Sequence, residues 1–272
     1  MQLIPVPSPI LKQGDDLCTL LMHAGLQSGD IVVISSKALA TVEGGMVALA
    51  KMQPSSEAVQ WSKRCGGTPE FRQAVLDEVK RLNGKILAGC PQAMLTELKP
   101  EGMPSGTILV ANAGLDESNA PEGYCIGWPA DAVKSVKQLR RELENLLKTK
   151  KTKRTKKNSS SSFSSSSSSV ALIISDSSCR PRRIGVIAIA LVVSGLDPVQ
   201  SSIGKSDLFG KKLRMTQEAV ADQLATAANM LMGNAAQSIP AVIIRDHGIS
   251  LTNFEGWVPG INPQDDLFQA TI

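Results

Sequence analysis

The chain alternates short unbroken apolar runs with longer segments whose apolar residues recur every three or four positions. The runs are GDIVVISS (29–36), ILVANAG (108–114), VALIISDSS (170–178), IGVIAIALVVSG (184–195) and PAVIIRD (240–246). Short continuous runs of Val, Ile and Leu bounded by Gly, Pro, Asp or Ser predict strands buried on both faces. The run at 184–195 reads as one buried strand or two. Helical spacing appears over 17–26, over 69–83 (Phe71, Val75, Val79, Leu82) and over ADAVKSVKQLRRELENLLK at 130–148. It is strongest over MTQEAVADQLATAANMLM at 215–232, where Thr216 is the expected cap, Glu218 falls in the first turn and Gly233 stops the helix. This alternation predicts an α/β domain built on a mixed sheet.

One segment breaks the pattern. KTKKTKRTKKNSSSSFSSSSSS (148–169) has almost no apolar residue and is expected to form a disordered or loose insertion. It divides the domain into parts at 1–147 and 170–248, with an unassigned tail at 249–272. Its seven basic residues carry the whole positive excess: without them, 22 Lys and Arg face 25 Asp and Glu. The basic balance is therefore a local feature rather than a binding surface. Aromatics make up 3% of the chain, which argues against base stacking and a nucleic-acid partner. No run of 18 apolar residues occurs, so no membrane span is expected. The start, MQLIPVPSPILKQGDD, lacks the charged head and apolar core of a signal peptide. Five widely spaced cysteines with no CxxC fit a reducing cytoplasm better than disulfides or zinc.

Chemistry concentrates where two strands are expected to end. ILVANAGLDESNAPEG (108–123) delivers Asp116, Glu117, Ser118 and Asn119; VALIISDSSCRPRR delivers Asp176, Ser177 and Ser178, followed by Arg180, Arg182 and Arg183. Carboxylates grouped with hydroxyls and amides suit hard cations such as Mg²⁺ or Mn²⁺. Arginines beside them suit an anionic phosphate. An Asp after a strand is also a common turn former, and each aspartate taken alone reads that way. Ser35, Ser36 and Lys37 end the first strand as either a turn or a phosphate contact. The loop MGNAAQSIP (232–240) is compatible with a nucleotide cradle or an ordinary helix end. His23 and His247 read as surface or packing residues, and Cys179 lacks a neighbouring His that would make it a nucleophile. Neither a P-loop nor a GxGxxG after a strand is present.

In combination, GDIVVISSKALATVEG, ILVANAGLDESNAPEG, IISDSSCRPRR, DLFGKKLRMTQEAVADQLATAANMLMG and IPAVIIRD, in this order, resemble the coenzyme F-420-0:L-glutamate ligase family. The resemblance implies an α/β fold, commonly a homodimer. It also implies a gamma-glutamyl ligase reaction in which GTP activates a carboxylate acceptor as an acyl phosphate and L-glutamate's amine then forms the amide. Two divalent ions, Mg²⁺ or Mn²⁺, would hold the phosphates. Matched residue by residue, Asp116 and Asp176 correspond to metal ligands and Ser177 to a metal-binding Thr. Asn234 stands for a metal-binding Gln. Nucleotide contacts correspond to Ser8, Pro9, Ile10 and Leu11; to Ser36, Lys37 and Asn119; and to the loop Met232, Gly233, Asn234, Ala235, Ala236, Gln237, Ser238 and Ile239. Three departures stand out. DSSCRPRR replaces DTFGRPWR, IGVIA (184–188) replaces a polar NGQTD-type segment, and Thr41 stands at a basic position. A pocket that loses an acid and polar groups favours a different acceptor. A folate is the alternative to the deazaflavin. An inactive nucleotide-binding homologue with a scaffold role is the alternative to an enzyme.

Overall fold

The computed structural model describes residues 1–157 and 169–268, and the side chains of 151–157 are left aside. In chain order the elements are β1 (Gln2–Val6), α1 (Leu17–His23), β2 (Ile31–Ser35), α2 (Ser36–Val42), β3 (Met46–Ala48), α3 (Ser56–Cys65), α4 (Pro69–Arg81), β4 (Lys85–Gly89), β5 (Met94–Leu98), β6 (Ile108–Ala111) and β7 (Tyr124–Ile126). They continue with α5 (Ala132–Lys157), β8 (Ala171–Cys179), β9 (Val186–Ser194), β10 (Gln200–Ser201), β11 (Gln217–Glu218), α6 (Val220–Met232), β12 (Ala241–Arg245) and β13 (Glu255–Trp257).

The main sheet has the order β1-β12-β2-β8-β9-β13. It is mixed: β2 and β8 run parallel, and the other pairings are antiparallel. Successive residues of each central strand point to opposite faces. Val32, Ile34, Leu172, Ile174 and Ile243 enter one core; Ile31, Val33, Ile173, Val242 and Ile244 enter the other. Both faces are covered, which is why these strands read as unbroken apolar runs. Helix α6 covers one face through Val220, Leu224, Ala225, Ala228 and Met232. Helix α5 lies in the opposite core through Val136, Leu139, Leu143 and Leu147. The three-stranded sheet β4-β5-β6 packs on that same side.

Two expectations change, and two open points are decided. Helix α6 begins at Val220 rather than 215, and Thr216 does not cap it. Thr216–Glu218 are drawn instead into a hairpin: β11 pairs with β10, and Ser202 N–H donates to the Thr216 carbonyl. Long-range backbone bonds there override the local helix preference. Helix α5 runs on to Lys157, so the first half of the Lys/Ser segment is helical rather than loose; 158–168 lie outside the described residues. The 184–195 run forms the single strand β9. The tail contributes β13, an edge strand next to β9.

Candidate functional site

The sheet's register gathers the candidate residues on one rim. Val6 pairs with Ala241, Ala241 with Ile34, and Ser35 with Ser175. The segments that leave this rim are therefore 7–11, 232–240, 36–37 and 176–177, which the sequence scatters over most of the chain. Backbone bonds tie them together. Ser8 N–H donates to the Ser238 carbonyl and Ser35 N–H to the Pro240 carbonyl, each at 2.9 Å. Ser35 caps α2 by accepting from Ala38 N–H. Ser36 follows, fully buried, and its hydroxyl is without a hydrogen-bond partner among the described residues. Such unpaired hydroxyls are rare in a protein core. Thr41 sits in α2, where its hydroxyl donates to the Lys37 carbonyl.

Lys37 is the junction. Its Nζ donates to the Gly114 carbonyl and to Asp176 Oδ2, both at 2.7 Å. Asp176 is only 9% exposed at its side chain and holds three donors. Oδ2 also accepts from the Trp128 indole N–H at 2.6 Å, and Oδ1 from Ser177 N–H at 2.9 Å. Trp128 is buried and packs against Trp257, ring centroids 6.0 Å apart and tilted by 49°. A tryptophan of the unplaced tail thus supports a tryptophan that fixes the carboxylate. Asp176 is not at a strand end as expected. It lies within β8, paired with Ile189, and β8 continues to Cys179. Arg180–Arg183 form the exposed turn between β8 and β9, with Arg183 N–H donating to the Arg180 carbonyl. At ~3.3 Å per residue, that turn begins about 13 Å along the strand from Asp176.

Asp116 follows β6 and a left-handed turn. Its backbone N–H and C=O both bond to Ile126 (3.0 and 2.9 Å), and its carboxylate accepts from the N–H and hydroxyl of Ser118. The turn-forming role is therefore real, and it leaves the carboxylate accessible on an exposed loop. Asn119 adopts a left-handed conformation in that loop, with φ 55°. Lys37, bridging Gly114 and Asp176, joins the segments that carry Asp116 and Asp176. Asn234 is exposed on its loop, where Ala235 N–H donates to Gln237 Oε1. Among the described residues no group of three or more His, Cys, Asp or Glu could hold a metal. The cleft of about 480 Å³ lined by Asp16, Leu39, Glu43, Asp131 and Glu142 adjoins the other end of α2 and contains none of the rim residues. The sequence reading passed over Trp128, Gly114, Arg72 and Asn112; only the Asn-Ala-Gly triplet signalled a special turn.

The rim joins an ammonium, a carboxylate held by three donors and exposed backbone loops. Comparison with known proteins shows the family. A model of the F420-0:gamma-glutamyl ligase family matches residues 5–152 and 160–246. A protein named coenzyme F420:L-glutamate ligase from Methanopyrus kandleri is 33% identical over 258 residues, 94% of this chain and 91% of that relative. The protein of the same name from Methanocaldococcus jannaschii is 34% identical over 258 residues, covering 94% and 92%. The one from Methanothermobacter thermautotrophicus is 31% identical over 270 residues, covering 96% of each.

Proposed function

From the premise that this chain belongs to the F420-0:gamma-glutamyl ligase family, we propose that it joins L-glutamate to a carboxylate acceptor at the sheet rim, using GTP and two divalent ions. It is an amide-bond-forming ligase of that family. The single observation that carries the reading is Lys37, whose ammonium bonds Gly114 O and Asp176 Oδ2 and so joins three chain segments. An acceptor carboxylate oxygen attacks the γ-phosphorus and GDP leaves, giving an acyl phosphate. Glutamate's amine then attacks the acyl carbon, loses a proton, and inorganic phosphate departs. Such transfers depend on positioning and on screening of phosphate charge.

The residues fit hard cations. Mg²⁺ and Mn²⁺ take oxygen donors, and the oxygens already gathered by the Lys37 ammonium have that character. Asp116, Asp176 and Ser177 would hold the ions, with the Asn234 amide and substrate oxygens completing them. When bound, the ions would neutralise the triphosphate. Lys37 engages two of its three N–H donors within the protein, leaving one for a phosphate oxygen. The Ser36 hydroxyl and the backbone of 8–11 and 232–239 would cradle the nucleotide. Trp128 and Ser177 N–H hold Asp176 at a fixed angle. The homodimer implied by the likeness is supported by Leu208, Phe209 and Met215, which stand exposed between β10 and β11.

The acceptor is a deazaflavin or a folate. Incubation with GTP, Mn²⁺, labelled glutamate and each acceptor in turn separates them. One labelled product is expected, and Asp116→Ala and Asp176→Ala should each abolish it in a folded protein. GTP binding with no product from either acceptor would favour the inactive homologue instead.

A further inference from the structure

The turn that leads from β6 to Asp116 has the least favourable backbone near the rim. Asn112, Ala113 and Gly114 are consecutively left-handed, with φ of 51°, 53° and 78°. Only the glycine adopts this conformation freely, so surrounding bonds must impose it on the other two. Two clamps do so. Thr96 Oγ1 accepts from Ala113 N–H at 3.1 Å and donates to the Val110 carbonyl at 2.7 Å. Asn112 Oδ1 accepts from Met94 N–H at 3.0 Å and from Arg72 Nη1 at 2.8 Å.

Arg72 itself is unusual. It belongs to α4, is 2% exposed, and its remaining bonds go to the carbonyls of Gly66 (2.9 Å) and Cys65 (2.7 Å) at the C-terminal end of α3. The negative end of that helix dipole is its counter-charge. Burial pushes its pKa below the usual arginine value. An apolar residue would fill the same space without that desolvation. What only arginine supplies is a rigid planar fork that spans α3, α4 and the turn at once.

We propose that Arg72 is a positioning residue of the ligase site: through Asn112 it fixes the left-handed turn, and so sets where Gly114 O and Asp116 stand relative to Lys37 and Asp176. Its kinetic consequence rests on the ligase reading; its structural consequence does not. The test uses Arg72→Met, Arg72→Lys and Asn112→Gly in the full chain, at a temperature where melts show each variant folded. Two quantities are read: amide hydrogen exchange over 112–118, and the Mn²⁺ concentration for half-saturation in the presence of GTP, followed by the Mn²⁺ paramagnetic signal.

In Arg72→Met, exchange over 112–118 should quicken markedly while β12 keeps its protection, and half-saturation should move up about tenfold, the effect expected of a group that orients a metal ligand. Arg72→Lys should recover part of both. Asn112→Gly tolerates the positive φ but lacks the acceptor; it should reproduce both shifts, and adding Arg72→Met to it should change little more. It also serves should Arg72→Met fail to fold. Unchanged exchange over 112–118 overturns the proposal, as does general loosening with an unmoved Mn²⁺ curve. Absence of Mn²⁺ binding in the wild-type protein would instead overturn the ligase reading, and exchange would still decide the clamp.

Discussion

Gly114→Ala places one methyl group where the structure has no room for it. A Cβ there would lie 2.6 Å from Trp128 Cε2 and Nε1, on a residue whose φ is 78°. That separation is about 1 Å short of ordinary carbon contact. The left-handed backbone costs about 1–2 kcal/mol for an L-residue, and overpacking a filled core adds ~1–3 kcal/mol. The sum is about 2–5 kcal/mol. At ~2–4 °C per kcal/mol for a chain of this size, Tm should fall by roughly 10 °C. The indole gives way more easily than the backbone, and moving it breaks the N–H bond to Asp176. A hydrogen bond to a charged group contributes about 1.5–3 kcal/mol, so turnover should fall about 10–100-fold if that geometry matters in the transition state. Calorimetric melts give the first quantity and product formation the second. The indole ¹⁵N–H resonance of Trp128, identified by its loss in Trp128→Phe, should shift in Gly114→Ala. Trp128→Phe removes the obstructing atoms, so the double variant should be more stable than the two single losses predict, yet remain slow because the donor is gone. Strict additivity, or Gly114→Ala with wild-type stability and rate, would refute the packing argument.

Other outcomes follow from the same geometry. Lys37→Met removes the ammonium that links Gly114 and Asp176 and should lower turnover at least ~10²-fold, as loss of a preorganised donor does; retained activity in a steady-state assay would exclude Lys37 from the chemistry. Burial raises the pKa of Asp222, although its carboxylate accepts Ala190 N–H at 2.8 Å and Arg180 opposes the shift. The native state then holds that proton more tightly than the unfolded chain, so stability should drop as pH rises from the ordinary carboxylate value through the raised one. Asp222→Asn should flatten that part of a denaturation-versus-pH curve, and an unchanged curve would contradict it. Cys18 and Cys125 are buried, with pKa values pushed up to about 12, chiefly by desolvation. Maleimide labelling with mass spectrometry should therefore modify exposed Cys90 and Cys179 first, and reach Cys18 and Cys125 only after unfolding.

The sequence by itself determined the elements whose signals are local. Apolar runs flanked by Gly and Asp became β2, β8, β9 and β12, and the 3.6-residue spacing of Phe71, Val75 and Val79 became α4. It also determined the family, because long motifs survive in order across most of the chain. Tertiary structure decided which local preference prevailed and which distant groups met. The start of α6 moved to Val220 because Thr216–Glu218 found partners at 200–202. Asp176 proved to be mid-strand because β9 extends the hairpin past it to Val186. The indole on Asp176, the ammonium shared with Gly114 and the arginine buried beneath Asn112 join residues 40 to 139 positions apart. Periodicity records only which face of an element is buried. Which strands pair, and how far each side chain reaches across the fold, set those encounters, and a local pattern does not name the partner.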